Sequence, residues 1–511
     1  MAAFARQPFF VQLMALAAVA MLLPSIHALV LEDFRGARVF LYGFILTGLF
    51  ALLVGLAVAG QPPAREPRRY LLTVFFAYIL LPVLFAIPFI AARPWLVTPF
   101  EGWFEMLSAF TTTGATLYDS PYLLSPSMHL WRGLVGWLGG FLIWVTAFAI
   151  MAPMNLGGFE VRATGQVGET SDRDRSQIGA STTPGVRINR IAARLAPVYA
   201  GLTGLLWLLL MISGQTGAVA LIHAMSTLST SGISPTGGVH FAAGGRVAEI
   251  FILGFLVFAL SRVTFLKEGR AETGGRLLGD PEIRLAIVLV ATLTAVLFLR
   301  HFIGAIEEGS SLVKVEGLAA ALQALWGTLF TVASFLTTTG FQSADWLTAT
   351  DWSTLETPGL LLIAMALAGG GIATTAGGVK LLRLYALYKL SRREVERLIH
   401  PHSIGGAGAE ARRIRRQGAT IAWVFLMLFS VSFAAVMVLL SLTGIQFETA
   451  LVLAASALTT CGPLAEVGGE VPISYAGIPA LAQGILAAAM VLGRLEALVI
   501  IALFNVEFWR R

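Results

Sequence analysis

Apolar segments of about 20 residues recur along the whole chain and are separated by short polar stretches. Two lie at the start, at 9–30 and 39–60, and eight more follow in pairs. The pairs are 70–92 with 128–152, 193–213 with 246–266, 283–304 with 358–379, and 418–443 with 475–505. Because such a segment is long enough to cross ~30 Å of hydrocarbon, the pattern predicts membrane-spanning helices.

Each pair encloses a further apolar segment that ends in Ser or Thr residues and a glycine. These segments are 101–112, 219–230, 320–338 and 447–460, and most are too short to cross a bilayer. Non-helical backbone at membrane depth is tolerated only where it is buried in protein or lines a water-filled path. The pattern therefore predicts four re-entrant pore loops around an aqueous lumen.

The four loops share one sequence pattern. They read SAFTTTG, STLSTSG, SFLTTTG and SALTTCG, and they end at Gly114, Gly232, Gly340 and Gly462. In every loop a serine lies six residues before the glycine and a threonine two before it. A single loop of this kind would read as a glycine helix cap, but four in register indicate a duplicated unit.

A duplicated loop rich in Thr, Ser and Gly has a chemical use at membrane depth. A cation that sheds its water needs replacement oxygens, which backbone carbonyls supply when the chain is held extended and directed inward. Glycine permits unusual φ values and keeps the bore free of a side chain. Half-helices that point their negative C-terminal ends at the lumen also favour cations. The sequence thus predicts a cation pore.

Composition and charge agree with this topology. The 511 residues are 57% hydrophobic and 13% charged, which excludes an ordinary soluble domain. The net charge of +6 comes from Lys and Arg in alternate loops, a distribution that indicates cytoplasmic loops and cytoplasmic termini rather than nucleic-acid binding. The opposite side is acidic, with Glu101, Glu105, Asp119, Glu307, Glu308, Asp345, Asp351, Glu356, Glu448, Glu466 and Glu470. Such a mouth would concentrate cations.

The predicted fold class is an all-α polytopic membrane protein. It has four tandem repeats of helix, pore loop and helix around a pseudo-four-fold pore, preceded by two N-terminal transmembrane helices. The predicted boundaries are 1–66 for the N-terminal helices, 67–160 for repeat 1, 161–270 for repeat 2, 271–400 for repeat 3 and 401–511 for repeat 4.

With these loops, residues 70–505 resemble the potassium transporters of the TrkH/KtrB family, which are related to plant HKT transporters. The resemblance implies that carbonyls beside each filter glycine hold potassium. The residues concerned are Thr112, Thr113 and Gly114, then Thr230, Ser231 and Gly232, then Thr338, Thr339 and Gly340, then Thr460, Cys461 and Gly462. A serine at the first glycine accompanies sodium transport in related plant proteins, so Gly114 favours potassium. The fourth loop departs from the Asn-rich version of relatives.

A glycine-rich run and a buried charge lie beyond the third and fourth loops. The run AGGGIATTAGGVK, from Ala368, is too flexible to remain a regular helix, although close packing of small residues would also explain it. Arg494 lies within an apolar span, where a charge costs ~3 kcal/mol; a structural ion pair with Glu496 is the alternative to a functional role. The resemblance implies a gate formed by Gly369, Gly370, Gly371, Thr374, Thr375, Gly377, Gly378, Lys380 and Arg494.

The function expected from these features is potassium uptake across the bacterial inner membrane through a gated pore. A sodium-permeable pore, or sodium- or proton-coupled potassium transport, stays open, as does an intramembrane enzyme that uses Ser, Thr or Cys residues of the loops, such as Cys461. Neither catalytic residues nor an organic cofactor are expected. The expected partners are the lipid bilayer and, by the resemblance, a second copy in a homodimer and a cytosolic TrkA-like nucleotide-binding regulatory subunit. Basic loops near 160–190 and 380–416 would dock that subunit, although lipid headgroups would explain them equally well.

Overall fold

The computed structural model describes residues 7–59, 66–154, 156–161, 184–261, 279–307, 318–400 and 416–496. All the regular secondary structure in these parts is helical. Eight helices in these parts are long and apolar enough to cross a membrane. They are Phe9–Val30, Phe34–Val58, Pro67–Ala92, Pro126–Met151, Pro184–Ile212, Pro281–His301, Leu318–Leu336 and Gly418–Leu442. The protein is therefore an all-helical integral membrane protein, as predicted.

The two N-terminal spans lie close to their predicted positions. The first is divided into Phe9–Ala20 and Leu22–Val30. Pro24 explains the division, because proline has no N–H to donate and its ring opposes the carbonyl four residues earlier. The second span, Phe34–Val58, begins five residues before the predicted position, and its first turn is capped by the Asp33 carboxylate, which accepts from the Gly36 N–H at 2.9 Å.

Four units of first helix, pore helix and second helix follow. The first helices are Pro67–Ala92, Pro184–Ile212, Pro281–Glu307 and Arg416–Leu442. The pore helices, numbered 1 to 4, are Pro99–Phe110, Gly217–Ser229, Leu318–Leu336 and Phe447–Leu458. The second helices are Pro126–Thr146, which continues as a π-helical turn to Met151, then Gly245–Leu256, Gly359–Ala368 and Ala480–Leu495. Short helices Trp346–Ser353 and Leu464–Val467 follow pore helices 3 and 4.

Pore helices 1, 2 and 4 have 12, 13 and 12 residues, as their short apolar segments predicted. Pore helix 3 has 19 residues and is long enough to cross a membrane by itself. It nevertheless ends at the third loop like the others. Pore helix 1 begins in a capping box, in which Thr98 and Glu101 satisfy each other's backbone N–H groups, and Pro99 occupies the first helical position.

Three second helices differ from the predicted spans. The span 358–379 is wrong as a continuous helix, because the helix ends at Ala368 before the glycine run. A new helix, Leu381–Ile399, then occupies what was expected to be a basic loop, because its apolar residues recur with helical periodicity. Helix Gly245–Leu256 ends well before the predicted 266, and helix Ala480–Leu495 begins five residues after 475. Residues 262–266 and 497–505 of these spans lie outside the described parts.

The second helix of repeat 1 lies in the centre of the molecule. In the 18-residue apolar stretch of this span, 83% is buried. The corresponding share is 22% in the first helices of repeats 2 and 4, which present apolar surface to lipid. Its glycines allow close contact, since a side chain at Gly139 would collide with the Phe110 carbonyl and one at Gly140 with Ser229. The helix therefore packs directly against the ends of pore helices 1 and 2.

Candidate ion-conducting site

All four loops make the same first hydrogen bond after their pore helix. The N–H of the residue before the glycine donates to the carbonyl of the serine six residues before that glycine. The four bonds are Thr113 to Ser108 at 2.9 Å, Ser231 to Ser226 at 3.0 Å, Thr339 to Ser334 at 3.0 Å and Cys461 to Ser456 at 2.9 Å. The serine is thus shared by the four sequences because its backbone and hydroxyl hold the turn.

The threonine two residues before each glycine adopts a left-handed conformation in all four loops. The φ angles are 55° at Thr112, 52° at Thr230, 55° at Thr338 and 52° at Thr460. Such a φ is uncommon for a β-branched residue and is maintained only where the surrounding structure enforces it. The repeated strain turns the chain out of each pore helix in the same direction, and this geometry could not be read from the sequence.

Hydroxyl groups next to the glycine lock three of the loops. Thr111 bonds Thr113 at 2.9 Å, Thr337 bonds Thr339 at 3.1 Å, and Ser229 donates to Ser231 at 3.0 Å.

The fourth loop has Cys461 at this position and is held differently. There the Ser456 hydroxyl contacts the Cys461 carbonyl at 3.0 Å, and the Tyr475 hydroxyl donates to the Gly462 carbonyl at 3.0 Å. The sequence departure predicted in this loop corresponds to a different set of supports.

The four loops meet one another in a closed ring. A side chain at Gly114 would collide with the Ser231 carbonyl, and one at Gly232 with the Thr339 carbonyl. The ring continues from repeat 3 to repeat 4, where a Cβ at Gly340 would lie 3.1 Å from Cys461 Sγ. It closes from repeat 4 to repeat 1, where the Gly462 N–H donates to the Thr113 carbonyl at 2.6 Å. The predicted ligand carbonyls of loops 1, 2 and 3 therefore lie where the four loops converge.

The glycine-rich run forms a buried, non-helical segment directly beneath this ring. We call residues 369–380 the intramembrane loop; every residue in it is buried, and φ is positive at Gly369, Ala373, Gly378 and Lys380. The Gly377 N–H donates to the Thr338 hydroxyl at 2.7 Å, and the Thr375 hydroxyl contacts the Leu228 carbonyl at 3.3 Å. The predicted helix break is present, and the loop contacts the ring from below.

Arg494 reaches the intramembrane loop from the second helix of repeat 4. Its Nη1 donates to the Thr375 carbonyl at 2.6 Å, and the residue is 5% exposed. The alternative of an Arg494–Glu496 ion pair is wrong for this conformation, because the Glu496 carboxylate pairs with Arg383 Nη2 at 2.6 Å. Arg383 also lies over the Phe425 ring, 3.7 Å from its centroid. Arg383 was not predicted as a site residue, although a basic residue next to an apolar span was the available signal.

A small cavity lies at the level of the intramembrane loop. Its volume is about 20 Å³, and Thr374, Lys380, Arg494 and Glu496 contribute to its lining. A cavity of that size holds about one water molecule. Buried side chains and backbone of the intramembrane loop fill the rest of the space around it.

The acidic mouth is smaller than the sequence indicated. Glu105 is 1% exposed and forms an ion pair with Arg132 at 2.9 Å, and Asp345 pairs with Arg246 at 2.5 Å, so both charges are compensated. Glu308 lies outside the described parts. Glu466 is exposed and accepts from Gln342 at 3.1 Å, close to the fourth loop. The charge that faces the mouth is therefore concentrated on fewer carboxylates than predicted.

The fold and the ring of loops define a class of protein: a polytopic membrane protein in which one chain surrounds a central path with four re-entrant loops. A model of the TrkH family, described as cation transport protein, matches residues 94–509. The chain belongs to this family.

Two related proteins and one solved structure cover almost the whole chain. The Trk system potassium uptake protein TrkH of Halomonas elongata is 29% identical over 471 residues, 90% of this chain and 91% of that protein. Its namesake from Salmonella typhimurium is 27% identical over 499 residues, 96% of each chain. The crystal structure of the potassium transporter TrkH from Vibrio parahaemolyticus has a TM-score of 0.79 at 24% identity and covers 100% of both chains. That structure confirms the fold.

Proposed function

We propose that the chain takes up potassium ions through a gated, channel-like pore. The ring of four loops forms the selectivity filter, and the carbonyls of residues such as Thr113, Ser231 and Thr339 replace the hydration shell of the ion. Names of related proteins, which describe potassium uptake, support the choice of ion. The chain itself acts as a transporter and carries potassium as cargo, with no organic cofactor of its own.

One observation carries this proposal above the others. Four segments with the same hydrogen bond and the same left-handed threonine converge from four parts of the chain. Four threonines with strained backbone are energetically unfavourable and persist only where the surrounding structure enforces them. A ring of backbone carbonyl oxygens that replaces the water around a dehydrated cation accounts for this arrangement.

Flux measurements test the proposal directly. Purified protein reconstituted into vesicles should take up rubidium, a potassium analogue, down an imposed gradient, faster than empty vesicles. Lipid vesicles with an unrelated membrane protein provide the control for leakage. Uptake equal to that of empty vesicles would reject the proposal.

Sodium transport is the second candidate. It is motivated by the fourth loop, where the Gly462 N–H donates to the Thr113 carbonyl of loop 1 and not to the carbonyl of Ser456 in its own loop. Sodium would then compete with rubidium at similar concentrations in the vesicle assay. Gly114 argues against this outcome, since its φ of 75° suits glycine and a serine there would collide with the neighbouring carbonyl.

An intramembrane enzyme is the candidate from a different class. The only cysteine, Cys461, is buried, and its backbone N–H and carbonyl take part in the filter turn. A nucleophile would need an activating base within hydrogen-bond reach. Cys461→Ser should therefore retain transport with altered selectivity, whereas an enzyme that uses this thiol would lose its activity.

The gate is formed by the intramembrane loop and Arg494. Opening requires the loop to leave its position under Thr338, which breaks the bonds from Gly377 and Arg494.

In the cell, we place the protein in the bacterial inner membrane with both termini cytoplasmic, as a homodimer with a cytosolic TrkA-like nucleotide-binding subunit. The basic segments that would meet this subunit lie largely outside the described residues. Addition of the subunit with its nucleotide to the vesicle assay would test the assembly.

A further inference from the structure

Buried side chains hold the segments that leave the filter on its outer side. One group of these side chains lies nine residues before each filter glycine, on the inner face of the pore helix. The residues at this position are Glu105, His223, Thr331 and Leu453. Three of the four are polar and all are buried, which is unusual in a helix that packs at membrane depth.

In repeat 1 the support is a buried carboxylate. One oxygen of Glu105 accepts from the Thr116 hydroxyl at 2.8 Å and from the Leu117 N–H at 2.6 Å. The other oxygen lies 2.9 Å from Arg132 Nε, and both side chains are nearly inaccessible. The Arg132 guanidinium lies against this carboxylate, and the two short hydrogen bonds tie the pore helix to the segment just after Gly114.

Repeat 3 is held by a second carboxylate, which comes from the neighbouring repeat. Glu249 lies on the second helix of repeat 2, is 1% exposed, and accepts from the Ser343 hydroxyl at 2.7 Å and the Ala344 N–H at 2.6 Å. The Trp326 indole N–H donates to the same carboxylate at 2.7 Å. Thr331 adds a bond from the Ser343 N–H at 3.2 Å. Two buried acceptors thus hold the segment after Gly340.

Repeats 2 and 4 have uncharged supports. The His223 ring lies 2.8 Å from the Ser234 hydroxyl on one side and 3.0 Å from the Gln215 amide oxygen on the other. In repeat 4 the position is apolar, and the Tyr475 hydroxyl bonds Ser456 at 2.5 Å instead. The ring of contacts runs in the order 1, 2, 3, 4, so the two loops with carboxylate supports face each other across the axis.

We propose that Glu105 and Glu249 are positioning residues for ion selectivity. Each holds one of two opposed filter loops at a fixed distance from the axis. The carbonyls are thereby placed to fit dehydrated potassium, the larger ion, in preference to sodium. Selectivity depends on the number and placement of carbonyl dipoles, and a loop that relaxes inward would accommodate the smaller ion as well. The inference rests on the proposed function, because it concerns the selectivity of that same filter.

The test compares variants that keep or remove the acceptor without leaving an unpaired buried charge. Glu249→Gln keeps an amide oxygen for the Ala344 N–H, and Glu249→Leu removes it. For repeat 1, Glu105→Gln with Arg132→Gln keeps an acceptor, and Glu105→Leu with Arg132→Leu removes it. The matched control is Glu32→Gln, an exposed carboxylate between the two N-terminal spans that is not one of the acidic residues assigned to the mouth.

Rubidium and sodium uptake are measured separately in vesicles, per amount of monodisperse protein. We expect the rubidium-to-sodium ratio to fall about tenfold in the leucine variants, the effect of losing one strong hydrogen bond, and to stay within about threefold in the glutamine variants. Glu32→Gln should match the unmodified protein. A purely structural role would lower the yield of folded protein and leave the ratio unchanged, and this result in the leucine variants would overturn the proposal.

A second measurement does not depend on transport. A cation that binds the folded filter raises the temperature of unfolding, so the unmodified protein in detergent should unfold at a higher temperature in KCl than in NaCl. The leucine variants should lose this difference, and the glutamine variants should keep it. If the unmodified protein shows the difference but no rubidium flux, the proposed transport fails and the positioning role stands. If a leucine variant keeps the full difference, the positioning role fails.

Discussion

At the scale of single residues, the sequence predicted which positions matter but not how they are held. Thr112, Thr230, Thr338 and Thr460 were identified by their register, since each lies two residues before a repeated glycine. Their common left-handed φ is enforced by neighbours from several helices, and intrinsic preference opposes it. The contact of Arg494 with the glycine-rich run was expected from the family resemblance, but the accepting atom, the Thr375 carbonyl 119 residues away, carries no sequence signal.

Arg494→Ala should raise transport through the closed conformation. The variant loses the bond to the Thr375 carbonyl at 2.6 Å, and hydrogen bonds of a charged donor contribute about 1.5 to 3 kcal/mol. If that energy favours the closed state, rubidium flux without an activating partner should rise about tenfold, or the apparent affinity should fall. Arg392→Ala, which removes an exposed charge paired with Glu396 one turn away, is the control. An unchanged transport curve for Arg494→Ala would contradict a gating role.

Glu466 should make uptake depend on external pH. Partial removal of water by the surrounding protein and the nearby Asp119 carboxylate raise the pKa of Glu466 to about 7, against a smaller opposing effect of the Gln342 amide. The carboxyl is therefore mostly neutral at pH 6 and mostly charged at pH 8, and the charged form attracts cations. The apparent affinity for rubidium should improve several-fold from pH 6 to pH 8 at low ionic strength.

Glu466→Gln should abolish that pH dependence and give the weaker affinity at both pH values. Glu32→Gln should leave it intact, because Glu32 is an exposed carboxylate between the two N-terminal spans and is not one of the acidic residues assigned to the mouth. A pH dependence that persists in Glu466→Gln would assign the titration to another group.

At the scale of elements, composition determined where the helices stop. Three consecutive glycines and a later pair destabilise a helix by about 1 kcal/mol each, so the end of the helix at Ala368 was predictable. The amphipathic helix Leu381–Ile399 was not predicted, because its many Lys and Arg residues were interpreted as part of a basic cytoplasmic loop. Whether the broken segment stays in the membrane depends on its contacts with Thr338, Leu228 and Arg494. Those contacts are tertiary.

Gly377→Ala should displace the intramembrane loop. An added Cβ would collide with the Thr459 carbonyl and lie 2.6 Å from the Thr460 hydroxyl, so the loop must move away from the filter. We expect basal rubidium flux to increase and the protein to lose about 1 to 3 kcal/mol of stability, as overpacking does elsewhere. Thermal unfolding and vesicle flux measure the two effects.

Gly484→Ala is the matched control for that change. Gly484 lies in the helix Ala480–Leu495, and an added Cβ there meets no atom within 4 Å. The variant should be neutral or slightly more stable, since alanine is favoured over glycine in a helix. Equal flux in the two alanine variants would contradict the assignment of the loop as the gate.

At the scale of the whole molecule, charge distribution and topology can be tested together. The proposed orientation places the outer ends of the pore helices outside the cell, and the beginning of helix Pro67–Ala92 inside. Cys461 is fully buried, so an added cysteine provides the main reactive thiol. Tyr122→Cys, at a residue that is 94% exposed, should react with an impermeant maleimide in intact cells.

Arg69→Cys is the control on the opposite side. Arg69 is exposed beside Glu66 at the start of its helix, so its cysteine variant should react only after the membrane is permeabilised. Labelling of both variants from outside, or of Arg69→Cys alone, would contradict the proposed orientation.

The sequence by itself determined the membrane as solvent, the four-fold repetition, the common register of the four loops and the helix break, because hydropathy, periodicity and glycine content act locally along the chain. Tertiary structure alone decided which atoms join the loops into a ring and which contacts hold the broken segment beneath it. It also decided that Glu105, which the sequence assigned to the acidic mouth, and Glu249 are buried against the segments that follow Gly114 and Gly340. The physical reason is that a buried charge or strained turn is stable only through partners far away in sequence. Those partners are chosen by packing, and packing exists only in the folded molecule.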